Sequence, residues 1–485
     1  MSTDGKTVLL NMFWRLAERC GAQGVSFIVS LILARLLLPE AYGVISLIAV
    51  FTTILNLFID SGFKNALIQK KEADQLDYST VFFFNTAMGI FFYGIMYVTA
   101  SLIAEFYDRP YMTPYIRVMS LTLVFGGING VQQAVVAKNM QFKRFFYATL
   151  TGTVISAIIG IAMAYMGLGV WALIAQRITN QVIDTVFLWF TVRWRPDLCF
   201  SIKRLKPLFN YGSKLLLSSF VNTWIGNLTG LIVGKMYTAE LLAYYDKGKS
   251  IPGLVVQNLY TAVQSVLFPV IAESQNQREQ VKNILRKSVM TSTYCIFPCM
   301  TGMAVCAEPL VKILYTEKWI AMVPYLQLWC FCFAFYLWHT ANLQVIQALG
   351  RSDIFLRIEI IKQIITIVSI VLSVPFGVLA MLGASCIVAV LCLYINARPN
   401  VELAGYGFLE QVKDVLPVFG LNVIMGIGVY IVGFFPFPEG VLLAIQVLTG
   451  IVIYVGGSAA LKLEIYKYLF QTVKEFIFRK DGGWK

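Results

Sequence analysis

The sequence predicts an all-α integral membrane protein with about fourteen transmembrane helices. Three observations support this prediction. Of the 485 residues, 58% are hydrophobic and only 13% are charged, whereas soluble domains carry about 25% charged residues. Apolar stretches long enough to cross a hydrocarbon layer of roughly 30 Å recur along the whole chain. The segments between them reach at most about 20 residues, which leaves no room for a soluble domain.

The predicted spans follow one another in two sets of seven. The first seven lie at about 11–37, 42–63, 80–104, 114–137, 145–166, 168–192 and 208–234. The second seven lie at about 241–271, 288–307, 321–349, 355–375, 377–396, 412–434 and 440–461. Lys and Arg residues fall about 25 to 7 on alternate sides, so the positive-inside rule predicts that both termini are cytoplasmic. No cleavable signal peptide is expected before the first span.

The chain repeats itself at a spacing near 200 residues. LILAR at 31–35 and LIVGK at 231–235 each end a span, and a glutamate follows each five residues later. QAVVA at 133–137 and QVIQA at 344–348 each end a span before a basic turn. Such a repeat predicts two six-helix lobes, related by a pseudo-two-fold axis, around a central cavity. The predicted divisions are an N-terminal lobe at 1–200, a C-terminal lobe at 201–400, and two extra helices with a basic tail at 401–485.

Several function classes are not indicated by the composition. The net charge is +13, but the basic residues lie between apolar stretches, so nucleic-acid binding is not expected. The nine cysteines match no zinc or haem spacing and are interpreted as small hydrophobic residues. No P-loop, metalloprotease or Ser/His/Asp motif is present in the sequence. We therefore expect neither enzymatic activity nor a metal or organic cofactor.

Charged residues within the spans are the candidates for function, because each costs roughly 3 kcal/mol at the bilayer centre. Arg15, Glu18 and Arg19 share one face of the first helix, where one acid cannot neutralise two arginines. This face is expected either to anchor the helix at the lipid headgroups or to bind phosphate oxygens through planar guanidinium groups. The basic residues assigned to an anionic substrate are Arg15, Arg19, Arg117, Arg177 and Lys214. Lys64 and Lys214 lie near span ends, so the alternative for these two is that their ammonium groups extend to the membrane interface.

A polar stripe runs along the sixth span, where four residues from Arg177 to Asp184 recur at i, i+3, i+4 and i+7. The stripe is expected either to pack against another helix through an Arg177 to Asp184 network or to line a hydrated cavity. In the second span, Asp60 and Lys64 form an i, i+4 pair that is either self-neutralised or exposed to the same cavity. The candidates for a polar cavity wall or ion coupling are Glu18, Asp60, Lys64, Asn180, Gln181, Asp184 and Asn222.

Two further polar features lie in the second half of the chain. Glu359 and Lys362 are interpreted as a structural ion pair, and His339 as a hydrogen-bonded helix contact rather than a proton-sensitive switch. The run YYDKGKSIP at 244–252 predicts an interruption of the eighth span, of the kind that forms gates in transporters. The gate candidates in this run are Asp246 and Lys247.

Six segments of the chain form a recognisable series. They are LARLLLPEAYGVISLIAVFTTILNLFIDSGFKNALIQKK at 33–71, IRVMSLTLVFGGINGVQQAVVAKNMQFK at 116–143, GVWALIAQ at 169–176, WRPDLCFSIKRLKPLFNYGSKLLLS at 194–218, EKW at 317–319 and ALGRSDIFLRIEIIK at 348–362. In this order they resemble the polysaccharide transporter (Wzx-type flippase) family of the multidrug/oligosaccharidyl-lipid/polysaccharide superfamily, in the branch that includes the colanic-acid exporter. The resemblance covers about residues 1–430.

The resemblance implies a multi-pass protein of the bacterial inner membrane. Its implied function is to move undecaprenyl-diphosphate-linked oligosaccharides from the cytoplasmic to the periplasmic leaflet by alternating access, with basic cavity residues binding the diphosphate. The implied partners are this substrate, the lipid bilayer, and polysaccharide polymerase and assembly proteins. The alternative is a cation-coupled multidrug exporter of the same superfamily, but its site would require an excess of carboxylates within the spans. A proton or a sodium ion is the candidate coupling ion.

Overall fold

The computed structural model describes residues 21, 23–60, 62–70 and 72–478 of the chain. The described residues form helices and connecting turns with no strand, which confirms the predicted all-α fold. The helices are α1 (Gln23–Leu36), α2 (Pro39–Asp60), α3 (Phe63–Gln69), α4 (Gln75–Phe106), α5 (Thr113–Met119), α6 (Leu121–Lys138), α7 (Phe142–Tyr165), α8 (Val170–Thr191), α9 (Ile202–Met236), α10 (Ala239–Glu273), α11 (Arg278–Val305), α12 (Ala307–Tyr315), α13 (Val323–Ala334), α14 (Tyr336–Ala348), α15 (Ser352–Ser373), α16 (Val378–Ala397), α17 (Asn400–Leu403), α18 (Phe408–Val432), α19 (Glu439–Ala460) and α20 (Glu464–Phe478).

Many of these helices, alone or joined end to end, have the length and composition of membrane spans. Within the described residues, nine helices or joined helices pass that test, and a tenth passes if α11 and α12, bent by 73°, count as one span. The total of fourteen spans stays a prediction. Three long helices at predicted spans are not among the nine, namely α8, α9 and α15. Each interrupts its apolar sequence with charged and amide side chains, which lipid would not solvate.

The described residues cluster into two compact units, which divide between Ala243 and Tyr244. Three residues with positive φ in the first unit each have a counterpart with positive φ in the second unit, 208 or 210 residues later. This regularity supports the internal repeat that the sequence predicts, while the three-part division of the chain stays a prediction. The paired residues with positive φ are Asp108 and Thr316, Met140 and Gly350, and Gly169 and Gly377.

Small residues bring α7 and α8 into close contact in the first unit. Ala148, Gly152, Ser156, Gly160 and Ala164 recur at every fourth position of α7, and all five are buried. A Cβ atom added at Gly160 would lie 3.0 Å from a side chain of α8. Small residues in this spacing allow two membrane helices to approach closely without a hydrophobic driving force. The position of α8, and therefore of its polar residues, is set by this contact.

Glycine also controls the crossing of α4 and α6. A Cβ atom added at Gly127 of α6 would lie 2.5 Å from the carbonyl oxygen of Asn85 on α4, a distance at which the helices must separate. We expect Gly127→Ala to destabilise the protein by about 1–3 kcal/mol and to lower the thermal denaturation midpoint in detergent. The matched control is Gly94→Ala on α4, because no described atom lies within 4 Å of a Cβ at Gly94. Equal midpoints for the two variants would contradict the proposed close approach.

An ionic network closes the turn between α3 and α4. The Asp74 carboxylate accepts a hydrogen bond from the backbone N–H of Asp77 at 2.9 Å. The Asp77 carboxylate in turn accepts one from the backbone N–H of Asp74 at 3.1 Å. The backbone donor of Asp77, together with the nearby Arg204 guanidinium, holds the pKa of Asp74 below its usual range. The buried Asp77 carboxylate also contacts the Lys70 ammonium. These contacts fix the short helix α3, on which Lys64 lies.

The eighth predicted span contains no interruption, so the predicted break at 244–252 is wrong. Helix α10 is continuous from Ala239 to Glu273 and includes Pro252. Gly248 serves close packing, since a Cβ atom there would lie 3.0 Å from atoms of Tyr325 and Leu326 on α13. Glycine and proline are tolerated within membrane helices when neighbouring helices compensate. Asp246 and Lys247 are half-buried on this helix, and their role as a gate stays a prediction.

Candidate functional site

A polar cluster joins four helices inside the first unit. Lys64 of α3 donates a hydrogen bond from Nζ to Oε1 of Gln133 on α6 at 2.8 Å. One turn earlier on α6, Asn129 donates from Nδ2 to Oδ2 of Asp184 on α8 at 2.7 Å. Asp60, at the end of α2, accepts a hydrogen bond from the backbone N–H of Lys64. We call these five residues the first-unit cluster.

Local sequence explains how the cluster forms. Asn129 and Gln133 are separated by four residues and therefore share one face of α6. Gly62, with φ of 70°, interrupts the helical conformation between α2 and α3. A Cβ at Gly62 would lie 2.8 Å from the backbone of Gly212 on α9, so only glycine fits both the conformation and the contact. This break places the Lys64 ammonium beside α6.

The cluster carries an excess of negative charge when its three ionisable members are all ionised. Asp60 and Asp184 contribute two carboxylates, whereas Lys64 contributes one ammonium group. Asn129 is 1% exposed, and within the described part of the chain its Oδ1 atom has no hydrogen-bond partner. Charge imbalance is costly at a partly buried position in a membrane protein. The arrangement is therefore chemically suited to take up one proton or one small cation.

The polar stripe of α8 divides between two neighbours. Asn180 donates to the hydroxyl groups of Thr153 and Ser156 on α7 at 3.4 and 3.5 Å, so this residue follows the helix-packing alternative. Asp184 is oriented toward α6 and is held there by Asn129. Arg177, seven residues before Asp184, is exposed on the same helix. Gln181 is half-buried, and its backbone carbonyl accepts a hydrogen bond from a hydroxyl group one turn later.

Arg117 contacts a neighbouring helix. Its Nε donates to the carbonyl oxygen of Tyr97 at 3.2 Å, and its guanidinium carbon lies 4.6 Å from the centre of the Tyr97 ring. A guanidinium group over an aromatic ring forms a cation–π contact, which here joins α5 to α4. The structure thus gives Arg117 a packing role, and its assignment to the substrate stays a prediction.

The remaining candidates are only partly described. Asn222 is exposed on α9, and Lys214 lies in the same helix, but its side chain is outside the described part of the structure. Arg15, Glu18 and Arg19 lie outside the described residues altogether. Their predicted role in binding an anionic group therefore stays a prediction.

The second unit contains a cavity of about 480 Å³ that the sequence did not predict. Its walls come from α10, α14, α15 and α16. Glu359 and Lys362 form the expected ion pair in its wall. His339 forms the expected helix contact, since its Nδ1 lies 3.0 Å from Nδ2 of Asn396. No motif marks this site, because its residues come from four separate helices, and the only signal is a set of glutamines within apolar spans.

Comparisons with known proteins were made for sequence and for structure. A model of the family described as polysaccharide biosynthesis protein matches residues 32–324. The succinoglycan biosynthesis transport protein ExoT of Rhizobium meliloti is 24% identical over 67% of this chain and 66% of that protein. The teichuronic acid biosynthesis protein TuaB of Bacillus subtilis is 24% identical over 62% of this chain and 63% of its own length. The chain thus spans just under two thirds of these relatives.

A third relative and two solved structures complete the comparison. The lipopolysaccharide biosynthesis protein WzxC of Escherichia coli is 24% identical over 72% of both chains. The lipid II flippase MurJ in an inward closed conformation has a TM-score of 0.73 at 15% identity, covering 95% of this chain and 100% of that one. An inward-facing multidrug resistance MATE transporter has a TM-score of 0.58 at 13% identity, with coverages of 81% and 96%. At these identities the two structures show a shared fold.

Proposed function

Because the chain belongs to the polysaccharide biosynthesis protein family, we propose that it moves a lipid-linked oligosaccharide across a membrane. The family match over residues 32–324 is the observation that supports this function. Relatives named for succinoglycan, teichuronic acid and lipopolysaccharide biosynthesis differ in their polysaccharide, so the common substrate is a precursor class rather than one sugar. The proposed substrate is an undecaprenyl-diphosphate-linked repeat unit, moved from the cytoplasmic to the periplasmic leaflet of a bacterial inner membrane.

The proposed mechanism is alternating access about sites for the polar part of the substrate. The hydrocarbon layer cannot solvate a diphosphate and its sugars, whereas it solvates the apolar polyprenyl chain. Arg15, Arg19, Arg177 and Lys214 are the proposed donors to the diphosphate, because guanidinium and ammonium groups bind phosphate oxygens. An inside-negative potential would assist outward movement by about 2.3 kcal/mol per charge per 100 mV.

A counter-ion is part of this proposal. The first-unit cluster is the proposed coupling site, since two carboxylates share one ammonium group and the Asn129 oxygen can accept one further contact. Uptake of a proton or a sodium ion at Asp60 or Asp184 would neutralise the cluster. We propose no catalytic step and no resident cofactor. A multidrug exporter of the same superfamily is not favoured, because the family match is to polysaccharide biosynthesis proteins.

The topology of the proposal follows the distribution of basic residues. Both termini are placed in the cytoplasm, so that the basic loops face the negatively charged side. Polysaccharide polymerase and assembly proteins are the proposed partners, because they would consume the translocated unit.

Transport by reconstituted protein tests the proposal directly. The full chain would be placed in liposomes with a fluorescent undecaprenyl-diphosphate-linked oligosaccharide, and outer-leaflet probe would be quenched with a membrane-impermeant reagent. We expect the chain to accelerate equilibration of the probe and Arg177→Ala to slow it about tenfold, since one charge-assisted contact is lost. Arg193→Ala, an exposed arginine in the loop after α8, is the matched control and should leave the rate unchanged. Equilibration no faster than in protein-free liposomes would contradict the function, and a normal rate for Arg177→Ala would contradict the proposed role of that residue.

A further inference from the structure

The cavity of the second unit has the dimensions of a ligand pocket. Its volume of about 480 Å³ falls within the roughly 300–1,000 Å³ typical of sites for small organic molecules. Every residue of its wall lies in the second unit. It shares no residue with the first-unit cluster, whose charged members are Asp60, Lys64 and Asp184.

The described residues that line the cavity carry no net charge. Its two charged members, Glu359 and Lys362, pair with each other and are largely buried, with 27% and 17% of their side chains exposed. His339 is neutral in this arrangement, because the amide nitrogen of Asn396 can only donate and Nδ1 must therefore accept. A diphosphate would meet no uncompensated positive charge here. The cavity is suited to a neutral ligand.

The polar groups of the wall offer both donors and acceptors. Amide side chains project from Gln264, Gln347 and Gln363, and hydroxyl groups come from threonine and serine residues of three helices. Amide and hydroxyl groups can each both donate and accept a hydrogen bond. The wall therefore fits a ligand with several O–H groups.

Aromatic rings complete the wall. Tyr260 of α10 and Tyr336 of α14 meet edge to face with their ring centres 5.6 Å apart. A tyrosine ring presents an apolar face and a polar hydroxyl group to the same ligand. Together with the amides, this combination matches the alternating C–H and O–H surface of a sugar.

The internal repeat of the sequence makes residues of the cavity wall the counterparts of residues in the first-unit cluster. The offset of 200 residues between LILAR and LIVGK, and the offset of 211 between QAVVA and QVIQA, relate residues of the cluster to residues of the cavity wall. The related pairs are Asp60 and Tyr260, Lys64 and Gln264, and Gln133 and Gln344. Asp60 and Lys64, the two charged residues among these pairs, correspond to neutral residues of the wall.

We propose that the cavity of the second unit binds a neutral, polyhydroxylated group, the sugar portion of the lipid-linked substrate. The inference rests on the proposed function and adds to it a division between the units. The first unit holds the charged chemistry, and the second unit recognises hydroxyl groups. The affinity of the chain for its substrate then depends on the sugar as well as on the diphosphate.

Binding of two probes to the purified full chain in nanodiscs tests this inference. One probe is the lipid-linked oligosaccharide extracted from the source organism, and the other is undecaprenyl diphosphate without sugar. We expect the unmodified chain to bind the first probe more tightly. Gln363→Leu should weaken binding of the first probe about tenfold and leave binding of undecaprenyl diphosphate unchanged, because leucine keeps the volume and removes the amide.

A matched pair of serines on α15 provides the control. Ser369 lines the cavity, and Ser373, one turn later, does not, because the Ser373 hydroxyl is buried and donates to the backbone carbonyls of Ser369 and Ile370. Ser369→Ala should weaken binding of the oligosaccharide probe about threefold, whereas Ser373→Ala should leave it unchanged. This pair keeps the test decisive if Gln363→Leu fails to fold.

The outcomes separate this inference from the proposed function. Equal affinity of the unmodified chain for the two probes would overturn the sugar site while leaving transport of the lipid-linked substrate in place. Weakening of both probes by Gln363→Leu or Ser369→Ala would also overturn it, since such variants would act on the fold. Failure of the unmodified chain to bind either probe would contradict the proposed function itself.

Discussion

Replacement of Lys64 by methionine is expected to reduce transport of the lipid-linked oligosaccharide by more than tenfold and to destabilise the protein by about 3–5 kcal/mol. Lys64 is the ammonium group that accompanies the carboxylates of Asp60 and Asp184, and it also donates to Gln133 at 2.8 Å. Without it, two partly buried carboxylates lose their counter-charge. Transport in liposomes and the thermal denaturation midpoint in detergent measure the two effects.

A double variant distinguishes a structural cluster from a functional one. Lys64→Met combined with Asp184→Asn removes one positive and one negative charge together, so the cluster keeps the net charge of the unmodified chain, and one carboxylate rather than two is left without the ammonium group. The free energy of unfolding is expected to recover by about 2 kcal/mol, because removal of one partner of a buried ion pair costs more than replacement of both. Transport is expected to stay low, since one of the two carboxylates proposed to exchange the ion is lost. Recovery of transport along with stability would show that the cluster serves only the fold.

The positions of the helices along the chain follow from the sequence, because each membrane span is determined by a local run of apolar residues. A long apolar run must form a helix to satisfy its own backbone, so composition alone locates the spans. Asp60, Lys64 and Asp184 could be predicted as a group of candidates for the same reason, since charge in an apolar span requires compensation. Their partners Asn129 and Gln133 were missed. An amide side chain costs less in an apolar span than a charged one, so its presence does not by itself indicate a partner. Which neighbour it faces depends on the orientation of α6 about its own axis.

Other features depend on contacts between helices and could not be predicted from any one segment. The cavity of the second unit is lined by residues such as Gln347 and Thr366, which are ordinary on their own helices. The break proposed in α10 was wrong because Gly248 and Pro252 were interpreted with the rules of soluble helices. In a membrane bundle, glycine allows close approach and proline is compensated by neighbours. The glycine and the proline thus indicate close helix packing rather than an interruption of the helix.

Substitution of Gln411 by leucine is expected to destabilise the second unit by about 3–5 kcal/mol. Gln411, at the start of α18, is fully buried and makes three short contacts with α14. Its Oε1 accepts from Nε1 of Trp338 at 2.7 Å and from Nδ2 of Asn342 at 2.9 Å, and its Nε2 donates to Oδ1 of Asn342 at 2.9 Å. Leucine would leave the indole N–H and the Asn342 amide buried without these partners. The thermal denaturation midpoint in detergent measures the loss.

Gln446→Leu on α19 is the matched control, because it makes the same change at an equally buried site. Gln446 is 3% exposed, but its Nε2 donates only a long bond of 3.4 Å to the carbonyl of Val429, and among described residues its Oε1 has no partner. Removal of an amide that is already poorly satisfied should cost less than about 1 kcal/mol. A similar loss for both variants would mean that side-chain shape, rather than the network around Gln411, sets stability. A large difference would show that paired amides hold α14 against α18, and with it the helix that supplies His339 and Gln344 to the cavity.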